Sequence, residues 1–248
     1  MDNVRPLPQA LSAGSPIEIT LIGAGGNGSE FFDGLLRLHF GLLALGGAGL
    51  DVVVFDDDTV SESNTVRQRF WPHEVGLNKA DALVHRANLT MGTAWRSVAR
   101  RFTVADLRAG LTVTAVDTFA IRQQLACLSR WDAARFWWLD MGCAGDQGQV
   151  VLGRMSDKRL NDKYPNVTAH FPDLLEGTDD NNTPSCSAAE SLAQQDLMIN
   201  QAVACAAINL LWKAIRTGEM AHNGVMIDLA HASSQSIPFV RMAATECA

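Results

Sequence analysis

The sequence predicts an α/β fold: a doubly wound, mainly parallel sheet with a crossover loop, a long C-terminal helix and a closing β-hairpin. Three observations carry this. Short apolar runs rich in β-branched residues stand at Glu18–Ile22, Val52–Phe55 and Thr112–Val116, as buried parallel strands require. Between the first two, Ser29–Leu45 carries Phe32, Leu35, Leu36, Leu38, Leu42 and Leu43 at helical spacing. At the junction of that first strand and helix lies a glycine run, Gly23-Ala-Gly25-Gly26-Asn27-Gly28.

In chain order, residues 1–16 read as a loose N-terminal arm without a signal-peptide core. Residues 17–153 form the core, with MGCAGDQGQVVLG at 141–153 as its return strands. Residues 154–186 mix prolines, Asn, Asp and charges that break every period, so they read as a crossover loop. Residues 187–248 complete the same domain. Ser187–Arg216 is helical with Ala- and Leu-rich faces, and Val225–Leu229 and Ile237–Val240, with SSQS between them, make the hairpin.

Glycine permits positive φ and close approach of a ligand to the backbone. The unpaired N–H groups of a helix start face an anion. Gly23, Gly25, Gly26 and Gly28 therefore mark a phosphate loop, set against the alternative of a tight turn that binds nothing. Asp56-Asp57-Asp58 ends the second strand, where an acid accepts ribose hydroxyls. Asn64, Arg67, Arg69 and Lys79 follow. A dinucleotide is satisfied by helix N–H groups, whereas displacement at a triphosphate needs cations where charge builds up. Arg67 and Lys79 are read as such cations and Arg69 as a solvated surface charge. A nicotinamide-dependent oxidoreductase is the rival on this fold, and the Asn64, Arg67 and Lys79 group counts against it.

These motifs resemble the ThiF, MoeB and HesA family, the adenylation domain of ubiquitin-activating enzymes. The resemblance lies in GxGGxG, then Asp56, Asp58, Val60, Ser63, Asn64, Arg67 and Gln68, then Lys79 in VGLNKA, then Asp117 before TFAIRQQL. It implies a Rossmann-like nucleotide-binding domain that adenylates the C-terminal glycine of a ubiquitin-like or sulfur-carrier protein with ATP and magnesium. By the same resemblance Asp56 holds the ribose, Asn64 and Arg67 the phosphates, and Asp117 the magnesium. Lys79 neutralises the departing pyrophosphate. Taken alone, Asp117 also suits a helix N-cap. PSCSAAES and QQDLMINQAV are similar to ThiF-related proteins of bacterial gene cassettes (PRTRC type) that also carry a ubiquitin-like protein and a metalloprotease. A non-catalytic partner that grips a ubiquitin-like protein is a further alternative. The family often supplies a trans arginine from an N-terminal helix, and Arg5 is the only arginine before the first strand.

The five cysteines form no C-x-x-C pair, so no structural zinc is expected. Cys186, after a loop and at a helix start, is either a reactive thiol that accepts the activated acyl group or a small helix residue. Cys143 and Cys205 are read as packing residues. The chain has 248 residues, 47% hydrophobic, enough for one sizeable core. A net charge of -7 without a basic cluster argues against nucleic acid. No apolar run has membrane length, and free cysteines without an export signal suggest the cytoplasm. The apolar surplus on the long helix predicts a homodimer.

Overall fold

The computed structural model describes residues 4–7, 11–12, 14–128, 135–155, 163–178 and 195–239. Strands β1 (Arg5–Pro6) and β2 (Ile17–Ile22) precede helix α1 (Gly26–Ala44), and β3 (Leu50–Phe55) precedes α2 (Asn64–Arg67) and α3 (Lys79–Met91). Then come β4 (Arg96–Val98), β5 (Gly110–Thr114), α4 (Ala120–Ala126), β6 (Phe136–Ala144), β7 (Gln147–Arg154) and α5 (Val167–His170). Helix α6 (Ile199–Thr217), β8 (Glu219–Met220), β9 (Gly224–Asp228) and β10 (Ser233–Ile237) close the chain. Eight strands form one sheet in the order β10-β9-β7-β6-β5-β2-β3-β4. The five strands from β6 to β4 are parallel, and β7, β9 and β10 join antiparallel. The expected fold class is therefore observed.

Alternation along the strands feeds two cores. Trp137 points into the one built with α1, α3 and α6, and Trp138 into the one built with α4 and α5. Helix α6 buries Ile199, Val203, Ala204, Ala207, Leu210 and Leu211. It lies close along α1 because Gly34 has no side chain: a Cβ there would sit 2.4 Å from Ile208 Cγ1. The apolar surplus that suggested a dimer is thus consumed within the chain.

Several sequence expectations are corrected. The helix begins at Ile199, not Ser187; residues 187–194 lie outside the described set, and 195–198 form a bridge and a turn. Asp196 is the reason: its carboxylate accepts the Met198 N–H at 2.8 Å, a local bond that competes with helix. SSQS is not the hairpin turn but lies in β10, which pairs with β9 around a turn at 229–232. Its exposed polar side chains suit an edge strand. The described residues of the N-terminal arm are not loose. Arg5–Pro6 pairs with β8, Tyr164 Oη donates to the Pro6 carbonyl at 2.7 Å, and Leu11 is buried. Within the crossover segment, α5 is capped by Asn166, which accepts the Thr168 N–H at 3.1 Å. Val167 packs on the sheet's second face. Cys205 is exposed rather than packed.

Candidate functional site

The parallel order reverses between β2 and β5, so the carboxyl ends of β3, β2 and β5 bring the glycine run, Asp56 and Asp117 to one edge. This is the switch point where open α/β sheets take ligands. Gly23 has φ 92°, and its N–H donates to the Phe55 carbonyl at 2.9 Å. A Cβ there would meet the Ala115 carbonyl oxygen at 2.6 Å, which shows how closely the segment before Asp117 packs on the loop. A Cβ on Gly28 would lie 2.0 Å from the Gly23 oxygen, and one on Gly26 would meet the Asn200 carboxamide at 2.7 Å. The loop feeds directly into α1, whose N-cap is Gly25.

Asp56 is half-buried at the end of β3. Its Oδ2 accepts the Ala24 N–H at 2.5 Å and its Oδ1 the Asp58 N–H at 2.8 Å. Burial raises its carboxyl above the ordinary value, and those two N–H groups work against the rise. The acid is thereby fixed to the glycine loop. Asn78 ties the next segment down: Nδ2 donates to the carbonyls of Asp56 and Asp58, and Oδ1 accepts the Asp81 N–H, capping α3. Lys79, the first residue of α3, is buried, and its Nζ lies 2.8 Å from Asp58 Oδ2. Asp58, a residue of the family pattern for which nucleotide binding was expected, pairs with the lysine.

Asn64 Oδ1 accepts the Ser61 N–H at 2.9 Å and opens the turn that carries α2. Arg67, at the end of α2, donates from Nη1 to Gln195 and to Asn200 Oδ1. Asn200 Nδ2 donates in turn to Asn27 Oδ1 at 2.8 Å and approaches Cys143 Sγ at 3.3 Å. Burial pushes the Cys143 thiol up, with opposing pull from Asn27 and Arg67. This amide network joins the glycine loop to α6 through Asn200, which with Gln195 stands in the QQDLMINQAV segment; neither residue is assigned to the site from the sequence. Arg69 is not a mere surface charge: Nε and Nη2 grip Asp33 of α1 at 2.8 and 2.6 Å. Beside Arg67 a cleft of about 290 Å³ is lined by Val66, Gln68, Trp71, Leu197 and Met198 among others.

Asp117 is exposed three residues beyond β5, and among the described residues its carboxylate has no partner. It does not cap α4, whose N-cap is Phe119. A hard cation that keeps several waters suits such a carboxylate. The triplet Asp56, Asp57 and Asp58 offers oxygens within 4.8 Å of one another. Its charges, however, are met by the loop N–H groups, Arg101 and Lys79, so Asp117 fits magnesium better. Cys186 lies outside the described residues. Arg5 stacks over Phe239 with its Cζ 4.4 Å from the ring centroid, held within its own chain. Among the described residues no helix is long and apolar enough to cross a membrane.

Solved structures share this architecture. E. coli MccB with ATP aligns with a TM-score of 0.58 and 14% identity, over 94% of this chain and 67% of that one. E. coli MccB with selenomethionine MccA gives 0.61 and 14%, over 96% and 68%. PaaA, with selenomethionine, gives 0.59 and 15%, over 93% and 66%. The chain thus spans about two thirds of the length of these structures, and at such identities the likeness is one of fold. No curated protein matches the sequence. The ThiF family model matches residues 13–248, nearly the whole chain, so the chain belongs to the ThiF family.

Proposed function

We propose that this chain uses ATP to adenylate the C-terminal carboxylate of a small carrier protein or peptide. The observation that carries the reading is the pairing of a loop-anchored acid with a buried cation. Asp56 is bonded to the glycine loop, and Lys79 stands at the start of α3 on the segment that Asn78 ties to Asp56. The acid suits a ribose, and the cation suits charge growing on departing phosphate oxygens. In the reaction a carboxylate oxygen attacks the α-phosphorus and the bond to pyrophosphate breaks, leaving an acyl-adenylate. Asn64 and Arg67 would hold phosphate oxygens, the guanidinium having five donors to share between them and its amide partners. Asp117 would hold magnesium, which when bound offsets triphosphate charge. Family membership supports the adenylating chemistry, and the fold shared with MccB, solved with ATP and with MccA, supports a peptide-like substrate.

The finer reading is a ubiquitin-like or sulfur-carrier protein ending in glycine, bound by a homodimer. The exposed Val66, Trp71, Leu197 and Met198 around the cleft at Arg67 support an interface there. Cys186 would take the acyl group: its sulfur attacks the acyl carbon and AMP leaves. Pyrophosphate exchange with ATP, with and without glycine-terminated carriers, tests the adenylation. Carrier-dependent exchange is expected, and tight NAD binding without ATP binding in calorimetry would refute it. Mass spectrometry of a thiol-labile carrier adduct tests Cys186; an adduct on another cysteine would return it to a structural role.

A further inference from the structure

The carboxyl end of β5 and the middle of β6, where Thr114 pairs with Asp140, hold a buried polar group that the adenylation reading leaves unused. Arg122 of α4 and Asp140 of β6 are 4% and 0% exposed. Arg122 Nε donates to Asp140 Oδ1 at 2.7 Å. Thr114 Oγ1 donates to the same oxygen, and Trp138 Nε1 donates to Thr114 Oγ1 at 2.7 Å. Asp140 Oδ2 is buried without a partner among the described residues.

A buried ion pair is weak evidence for stability, because desolvating both charges offsets most of their attraction. An incompletely satisfied one is weaker still. What this pair does instead is visible in the remaining bonds. Arg122 Nη1 donates to the Thr118 carbonyl at 3.0 Å and Nη2 to the Met141 carbonyl at 3.3 Å. One planar side chain therefore fastens two pieces of main chain at the carboxyl edge of the sheet. The first adjoins Asp117. The second leads into Gly142 and Cys143, whose thiol meets Asn27 of the glycine loop. Lysine has no fork with which to reach all three oxygens.

We propose that Arg122 and Asp140 form a positioning pair. They hold the Asp117–Thr118 main chain so that the Asp117 carboxylate is presented at the nucleotide edge, and they thereby set how much magnesium strengthens ATP binding. This inference rests on the adenylation reading for the identity of the ligand. It adds two residues that touch neither nucleotide nor metal.

The test uses the full chain carrying Arg122→Met with Asp140→Asn, which removes both charges and keeps an acceptor for Thr114. Arg122→Lys serves as a second variant should the first not fold. Hydrogen exchange on the metal-free protein should quicken at least tenfold at residues 116–118 and stay unchanged in β2 and the glycine loop. ATP titrations should show metal-free affinity within twofold of the unmodified chain and loss of the magnesium enhancement, as in Asp117→Asn. Arg122→Lys should fall between. A folded variant with unmodified exchange and full enhancement would overturn the inference alone. Faster exchange spread through the whole second core would also overturn it, by making the pair a general structural support. An unmodified chain whose ATP binding ignores magnesium would overturn it together with the metal role of Asp117, and an unmodified chain that binds no ATP would sink the adenylation reading as well.

Discussion

Lys79→Met separates the stability of this fold from its chemistry. The Lys79 side chain is 9% exposed, whereas its partner Asp58 is 65% exposed. Methionine keeps most of the buried stem. The carboxylate left behind is already hydrated, so no unpaired buried charge results. The lost ion pair is then of the exposed kind, about 1 kcal/mol at most, a fall in Tm of roughly 2–4 °C. The transition state loses a cation facing phosphate oxygens, an effect of about 3 kcal/mol. At 1.36 kcal/mol per tenfold this is on the order of a hundredfold in rate. Thermal melting and pyrophosphate exchange on the same preparation read both numbers. Arg67→Ala is a less clean probe, because it also breaks the bonds to Gln195 and Asn200. A folded Lys79→Met variant exchanging within threefold of the unmodified chain would refute the role assigned to the lysine.

Gly28→Ala places a Cβ 2.0 Å from the Gly23 carbonyl oxygen, which cannot swing aside. Overpacking of this kind costs about 3 kcal/mol, roughly 6–12 °C in Tm, and calorimetric melting checks it. Asp56, raised by burial, should make ATP affinity fall on acidification from a higher pH than an ordinary aspartate would, as titrations across pH would show. Its stability contribution runs the other way: it is full below the unfolded-state pKa and lost as pH rises through the folded one. Asp56→Asn should flatten both profiles. Light scattering at micromolar concentration should give a dimer, and substitution of Leu197 and Met198 by serine should shift it toward monomer.

The central strands were legible because strands covered on both faces must be largely apolar, as β2, β3 and β5 are apart from Glu18, Asp51 and three buried threonines. The rim was legible because glycines, acids and cations at fixed spacing have few purely structural uses. What escaped is what depends on distant partners. Asn200 meets Asn27 across 173 residues, and Tyr164 meets Pro6 across 158. Arg122 and Asp140, 18 residues apart, come together only when folding buries them. SSQS looked like a turn because an edge strand pairs through its backbone and leaves its side chains to water. Cys205 looked internal because alanine on a helix is equally at home on either face.

The glycine run itself shows how far a motif can be read without contacts. Of its four glycines, three answer to the protein. Gly23 bends at positive φ against Ala115, Gly26 makes way for Asn200, and Gly28 makes way for the Gly23 oxygen. At Gly25 a Cβ would meet no atom of the described residues within 4 Å. Among the described residues no contact excludes a side chain there. If that glycine is needed, the ligand needs it, because a backbone that must approach phosphate oxygens has no room for a Cβ. Gly25→Ala should therefore melt like the unmodified chain and bind ATP at least tenfold more weakly, the opposite pattern to a substitution at Gly28, where the fold fails first. Calorimetry on the pair reads the difference directly, and unchanged ATP affinity in Gly25→Ala would move the nucleotide away from this loop.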